Sequence, residues 1–279
     1  MSLGPFDWNG GAFLNLYQLL LAVALVACFL IPRWLRPTGR NQRVTDVDEL
    51  ALLAGGKQRF ADAVVTRLLA SGALEMAGRD CFAVTPGATG ASAAERRLLA
   101  MASPIGWRDL KRSLESSTDP LEQRLVQRGL VMDGGERARL RFWATLPFAA
   151  LIGFGAIKMI IGSARDRPIG FLTALVVVTV VVAIVRWFTV DRRTDAGLKA
   201  LAEARERAQR IRRAPTSGEM GEAVALFGTA VLAGSLWEDY HRLRSVGNAS
   251  SGSDGGGSDG GDGGGGCGGG CGGCGGGGD

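Results

Sequence analysis

The chain has 279 residues, of which 46% are hydrophobic and 21% charged, with a formal net charge of +5. That length allows one or two domains, but several apolar runs are too long for the core of a small soluble one. The single histidine, His241, excludes a metal site built on several histidines and is read as structural or exposed. Asp and Glu are scattered over amphipathic stretches without a pairing pattern, so no catalytic constellation emerges and the chain is read as non-enzymatic.

Residues 1–12 contain no Lys or Arg and so lack the basic region of a cleavable signal peptide. The expectation is a short, retained, extracytoplasmic N-terminus. Residues 13–32 form the first apolar span, with Asn15 and Gln18 near one end. Arg33, Arg36, Arg40 and Arg43 follow at once, which makes that end cytoplasmic by the positive-inside rule.

Residues 44–136 are expected to form a cytoplasmic α+β domain with an internal echo. Thr66-Arg-Leu-Leu-Ala-Ser-Gly72-Ala-Leu74 and Gln123-Arg-Leu-Val-Gln-Arg-Gly129-Leu-Val131 share Arg, Leu, an apolar residue and Gly at the same spacing. Each reads as a helix closed by a Gly C-cap and continued by a short apolar strand. A helix over 46–54 precedes the first copy, and Leu74 to Val84 reads as a hairpin turning at Gly78-Arg-Asp80. Helices over 91–102, 106–116 and 119–128 complete the second. This is a tandem winged-helix-like pattern, which raises DNA binding. Charge argues against it: from Asp46 to Glu136 there are 11 Lys plus Arg and 13 Asp plus Glu, with no clustered basic stripe to neutralise phosphates.

Two further spans are expected at 141–162 and 169–190. The run Phe171 to Val185 carries no charge. Its β-branched residues would suit a strand in water, but in lipid a helix alone satisfies the backbone within one segment. The earlier run holds Pro147, Gly153, Gly155 and Lys158; Pro147 is expected in the first turns and Lys158 close enough to the far end to snorkel. Arg137, Arg139 and Arg141 precede the second span and Arg186, Arg192 and Arg193 follow the third, while Trp34, Trp143 and Trp187 fall at those same ends. The layout expected is N-terminus outside, three spans and C-terminus inside, against which Arg165 and Arg167 in the short outer turn stand alone, offset in part by Asp166.

Residues 191–246 then supply cytoplasmic juxtamembrane helices: a charged one over 195–213 ended by Pro215, one capped by Ser217 over 219–232, and a last ordered stretch from Leu236 to Leu243. Residues 249–279 are nearly all Gly with Ser, Asp and three Cys, a composition with nothing to bury and expected to be disordered. Cys267, Cys271 and Cys274 stand as C-x3-C-x2-C, the spacing of radical S-adenosylmethionine clusters. A Gly segment has neither barrel nor adenosyl site, so that match is read as coincidence. The three thiols are candidate ligands for a loosely held Zn or Cu ion, or acceptors for a modifying enzyme, and in a reducing compartment they are not structural disulfides. Cys28 and Cys81 are read as packing residues.

Phe6-Asp-Trp-Asn-Gly10 before the first span, Asp48 to Gly56, Ala225-Leu-Phe-Gly228 and the Gly/Cys tail together resemble an uncharacterised family of bacterial three-span membrane proteins. The resemblance implies boundaries and topology over essentially the whole chain and carries no activity, cofactor or catalytic residue. The expected fold is mainly α, with three transmembrane helices, the small winged-helix-like domain and the Gly-rich tail. The expected role is a scaffold or interaction protein of the bacterial inner membrane, engaging membrane lipid and a cytoplasmic protein partner. A substrate modified at its tail thiols, an oligomeric transporter component and a membrane-anchored DNA-binding regulator are the alternatives.

Overall fold

The structure, a computed structural model, describes residues 10–40, 42–78, 80–163 and 170–249. The N-terminal Asp-Trp-Asn-Gly segment up to Asn9, the turn holding Arg165 and Arg167, and the tail with Cys267, Cys271 and Cys274 lie outside the described residues. The chain is mainly helical with one small sheet. In order the elements are α1 (Gly10–Leu35), α2 (Val47–Ala70), β1 (Leu74–Met76), β2 (Cys81–Val84), α3 (Ala93–Leu99), β3 (Ile105–Gly106), α4 (Trp107–Glu115), α5 (Asp119–Gln127), α6 (Gly134–Ser163), α7 (Gly170–Phe188), α8 (Asp195–Arg207), α9 (Gln209–Arg213), α10 (Met220–Phe227) and α11 (Glu238–Ala249). The described residues divide into two compact units, 10–42 with 125–200, and 43–124 with 201–249.

Among the described residues, the first unit contains three helices long and apolar enough to cross a membrane, over Phe13–Leu35, Gly134–Ile161 and Gly170–Phe188. Phe13, Tyr17, Ala24 and Cys28 of α1 meet Phe148 and Leu151 of α6 and Leu172 of α7 in a buried core. Val23, Val26 and Phe29 of α1, and Val177, Val181 and Ile184 of α7, face outward, an inversion that suits lipid and not water. Gly155 lets the helices approach, since a Cβ there would lie 2.7 Å from Val176 Cγ2. α6 begins at Gly134, well before the apolar run, so Pro147 sits mid-helix and not in the first turns as expected. Arg137, Arg139 and Arg141 are good helix formers and carry the helix beyond its apolar part.

The ends of these helices that carry the arginines are tied together. Beyond α1, the carbonyls of Pro37 and Thr38 accept from Asp195 N (3.1 Å) and Ala196 N (3.0 Å) in the segment after α7. Before α6, Leu130 O accepts from Thr194 N at 3.1 Å and Met132 N donates to Arg192 O at 2.8 Å. Gly39 sits in this knot at φ +68°, where a Cβ would lie 2.3 Å from Gly129 O.

In the second unit, Asp46 caps α2 by accepting from Asp48 N at 3.0 Å. Gly55 (φ −156°) and Gly56 (φ 68°) break α2 into two halves, and the second half is the buried centre of the unit, covered by α10. The hairpin forms as expected: β1 pairs antiparallel with β2, Leu74 opposite Val84 and Met76 opposite Phe82, and β2 with β3, Phe82 opposite Ile105. Ser92 and Glu95 make a reciprocal capping box on α3.

The echoed glycines behave alike. Gly72 (φ +70°) and Gly129 (φ +69°) end their helices in the left-handed region, with Ala73 N on Leu68 O and Leu130 N on Leu125 O, each at 3.0 Å. After the second, however, Val131 makes only an isolated bridge to Arg193 and does not enter the sheet. The helix expected over 219–232 is interrupted at Gly228 (φ 91°), leaving α10 and a short 3-10 turn, Thr229–Leu232. That expected over 195–213 divides into α8 and α9 around Ala208.

Candidate functional site

A buried polar cluster of the second unit forms where α11 docks. Tyr240 and Arg244, one turn apart, lie on one face of that helix. Asp62, on the second half of α2 and only 6% exposed, receives both through a single oxygen: Tyr240 Oη donates to Oδ1 at 2.8 Å and Arg244 Nε at 2.7 Å. Trp107 supplies a roof, with the Arg244 guanidinium 4.3 Å from its ring centroid. Tyr240 stands edge-on to Trp107 and to Phe82, centroids 6.0 and 6.2 Å apart. Burial first, and then the Asp62 charge, hold the Tyr240 phenol well above its usual pKa, so it stays a donor. The cluster is a clamp with its donors and acceptor mutually satisfied.

Two arginines from α2 extend this framework. Arg67 lies between Asp48 Oδ1 (2.7 Å) and Glu95 Oε1 (2.8 Å), and Gly221 of α10 packs on its stem, where a Cβ would come within 2.0 Å of Arg67 Cγ. Neither Arg67 contact is aligned as a hydrogen bond, and burial outweighs the guanidinium, so the Asp48 pKa is raised. Glu95 is better served, its Oε2 accepting from Ala91 N at 2.7 Å and Ser92 N at 3.1 Å. Arg59, one turn beyond the α2 break, donates from Nη1 to Val224 O at 3.3 Å and packs against Gly55 and Gly228. The Asp48 to Gly56 and Ala225 to Gly228 segments, far apart in sequence, therefore meet at Arg59.

Away from the clamp, Glu219 caps its own turn through Thr216 and pairs with Arg210, which together lower its pKa to about 2. A cavity of about 210 Å³ opens among Val44, Leu50, Ala204, Ala208, Arg207 and Glu222. At that volume it falls below the usual size of a small-molecule site.

Of the residues singled out from sequence, His241 Nδ1 lies 3.2 Å from Thr229 Oγ1 and helps seat α11. Lys158 Nζ lies over the Phe13 ring at 4.9 Å. Cys28 is buried in α1 and Cys81 half-buried on β2, both as free thiols. The candidate metal ligands Cys267, Cys271 and Cys274 lie outside the described residues; among the described residues no group of three His, Cys, Asp or Glu is placed to hold a metal. Sequence reasoning missed Asp62, Tyr240 and Arg244. The usable signals were an acid inside the apolar run Phe60 to Val65 and a Tyr and Arg four residues apart on an amphipathic helix. No family model, no characterised protein and no solved structure matches the chain.

Proposed function

We propose that this is a non-enzymatic integral membrane protein of the bacterial inner membrane, a scaffold that holds a cytoplasmic domain and presents the Gly/Cys segment beyond residue 249 to a protein partner. The observation that carries this reading is the clamp. Tyr240 and Arg244 on Asp62 fix α11, the last described helix before the Cys-bearing segment, to the domain.

Three spans, with the N-terminus outside and the C-terminus cytoplasmic, are supported by the arginines and tryptophans gathered at one end of the bundle. A winged-helix-like use of the second unit is supported by the helix pair of α2 leading into the β1–β2 hairpin. Burial of the second half of α2 beneath α10 leaves that helix no free face for a DNA groove, which favours a protein-contact role over the DNA-binding alternative. Thr173, Thr179 and Lys158 are few polar groups for a midplane path, so the transporter alternative needs an oligomer.

The test is the mass of the C-terminal peptide from protein isolated from its own membrane under denaturing conditions that keep covalent adducts. A plain, intact peptide supports presentation to a partner or reversible metal capture. A mass shift or truncation at Cys267, Cys271 or Cys274 replaces the scaffold with the second reading, a membrane-anchored substrate of a modifying enzyme.

A further inference from the structure

We propose that the arginine-bearing end of the three-helix bundle, with Arg36, Arg141 and Arg186, binds the phosphate headgroups of anionic phospholipids; this rests on the reading of the bundle as membrane-spanning. The three side chains come from different segments, just after α1, in the third turn of α6 and in the last turn of α7. The hydrogen bonds joining 37–38 and 130–132 to 192–196 draw those helix ends to one end of the bundle.

The Nε atoms of Arg36, Arg141 and Arg186 are covered by protein and meet no acceptor. One terminal nitrogen of Arg186 donates to Cys28 O at 3.1 Å, and the Arg141 guanidinium lies 6.0 Å from the centre of the Trp187 ring. Among the described residues no carboxylate pairs with any of the three. Two acids of this end are engaged elsewhere, Asp191 with Arg193 (3.8 Å) and Glu136 with the Asp133 backbone N (3.3 Å). Guanidiniums with a covered Nε and no carboxylate partner among the described residues suit a bidentate acceptor such as phosphate. Exposed Trp34, Trp143 and Trp187 at the same end put that acceptor at the headgroup level of a bilayer, which selects a lipid phosphate over a soluble one.

The experiment is native mass spectrometry of the full chain in detergent, loaded with equal phosphatidylglycerol and phosphatidylcholine of the same acyl chains and stepped through delipidation. The expected result is retention of phosphatidylglycerol over phosphatidylcholine by roughly tenfold, falling by about thirtyfold in affinity in the R36Q/R141Q variant and recovering in part in R36K/R141K, which keeps charge but not the fork. Single R141Q, with helix content checked by circular dichroism, gives a milder loss of about fivefold and guards against misfolding of the double variant. Equal retention of both lipids overturns the proposal, as does an R36Q/R141Q protein that holds phosphatidylglycerol like the unaltered chain. Displacement of the lipid by soluble glycerol phosphate overturns the lipid as source. Release of the protein from native membranes by alkaline carbonate is a separate outcome that overturns the spanning reading itself.

Discussion

Tyr240 Oη donates a hydrogen bond to Asp62 Oδ1 at 2.8 Å across 178 residues of chain, and Arg244 reaches the same oxygen from one turn further along α11. A buried carboxylate with two donors on one oxygen is stable only while both remain, so the C-terminal helix and the centre of the domain are energetically one piece. Tyr240→Phe is expected to cost about 1.5–3 kcal/mol, the usual range for a hydrogen bond to a charged group, and Asp62→Ala about 3–5 kcal/mol because it strands Arg244. Denaturant unfolding of the detergent-solubilised chain measures both. Faster tryptic cleavage at Arg242 and Arg244 in Asp62→Ala would localise the loss to α11.

Alkaline pH gives the same clamp a second readout. An acid whose folded pKa is raised keeps its full contribution below the unfolded value, near 10.0 for tyrosine, and loses it as pH rises through the folded value. Stability should therefore decline above about pH 10, with a shallower decline in Tyr240→Phe. Equal slopes would mean that Tyr240 is not buried as a neutral donor.

At acid pH two carboxylates act in opposite directions. Glu219, lowered to about 2 from 4.5, contributes stability that is present above pH 4.5 and lost as pH falls toward 2, and Glu219→Gln should remove that component. The raised pKa of Asp48 favours folding as pH drops, so Asp48→Asn should flatten that gain. Unfolding midpoints of the two variants across pH 2 to 6 separate the signs.

Glycine substitutions separate conformational cost from crowding. Gly72 and Gly39 have nearly equal φ, +70° and +68°, but a Cβ at Gly72 meets open space and one at Gly39 meets Gly129 O at 2.3 Å. Gly72→Ala should cost about 1–2 kcal/mol from the left-handed backbone alone. Gly39→Ala should exceed it, since the knot joining three helix ends must open. Thermal unfolding in one detergent compares them directly.

Much of the architecture was legible because its signals are local. Apolar length marks α1, α6 and α7; Gly78-Arg-Asp80 marks the hairpin; Gly72 and Gly129 mark two helix ends through the one backbone conformation glycine tolerates best. What escaped was set by distant partners. The break at Gly55–Gly56 and the interruption at Gly228 serve the packing of Arg59, which belongs to neither expected helix end, and Val131 leaves the strand role that its echo suggested because Arg193 is its neighbour in space. The Asp62 clamp was hidden for the same reason: spacing within α11 shows that Tyr240 and Arg244 share a face, but nothing local names their acceptor.

The proposed function requires the domain carrying the Asp62 clamp, with the α11 it holds, to lie on the cytoplasmic side of the membrane. Trypsin digestion of matched right-side-out and inside-out membrane vesicles tests it most directly, read by mass spectrometry of peptides from residues 44–124 and 201–249. The expected result is cleavage of both regions in inside-out vesicles and protection of both in right-side-out ones. Cleavage of either region in sealed right-side-out vesicles would contradict it.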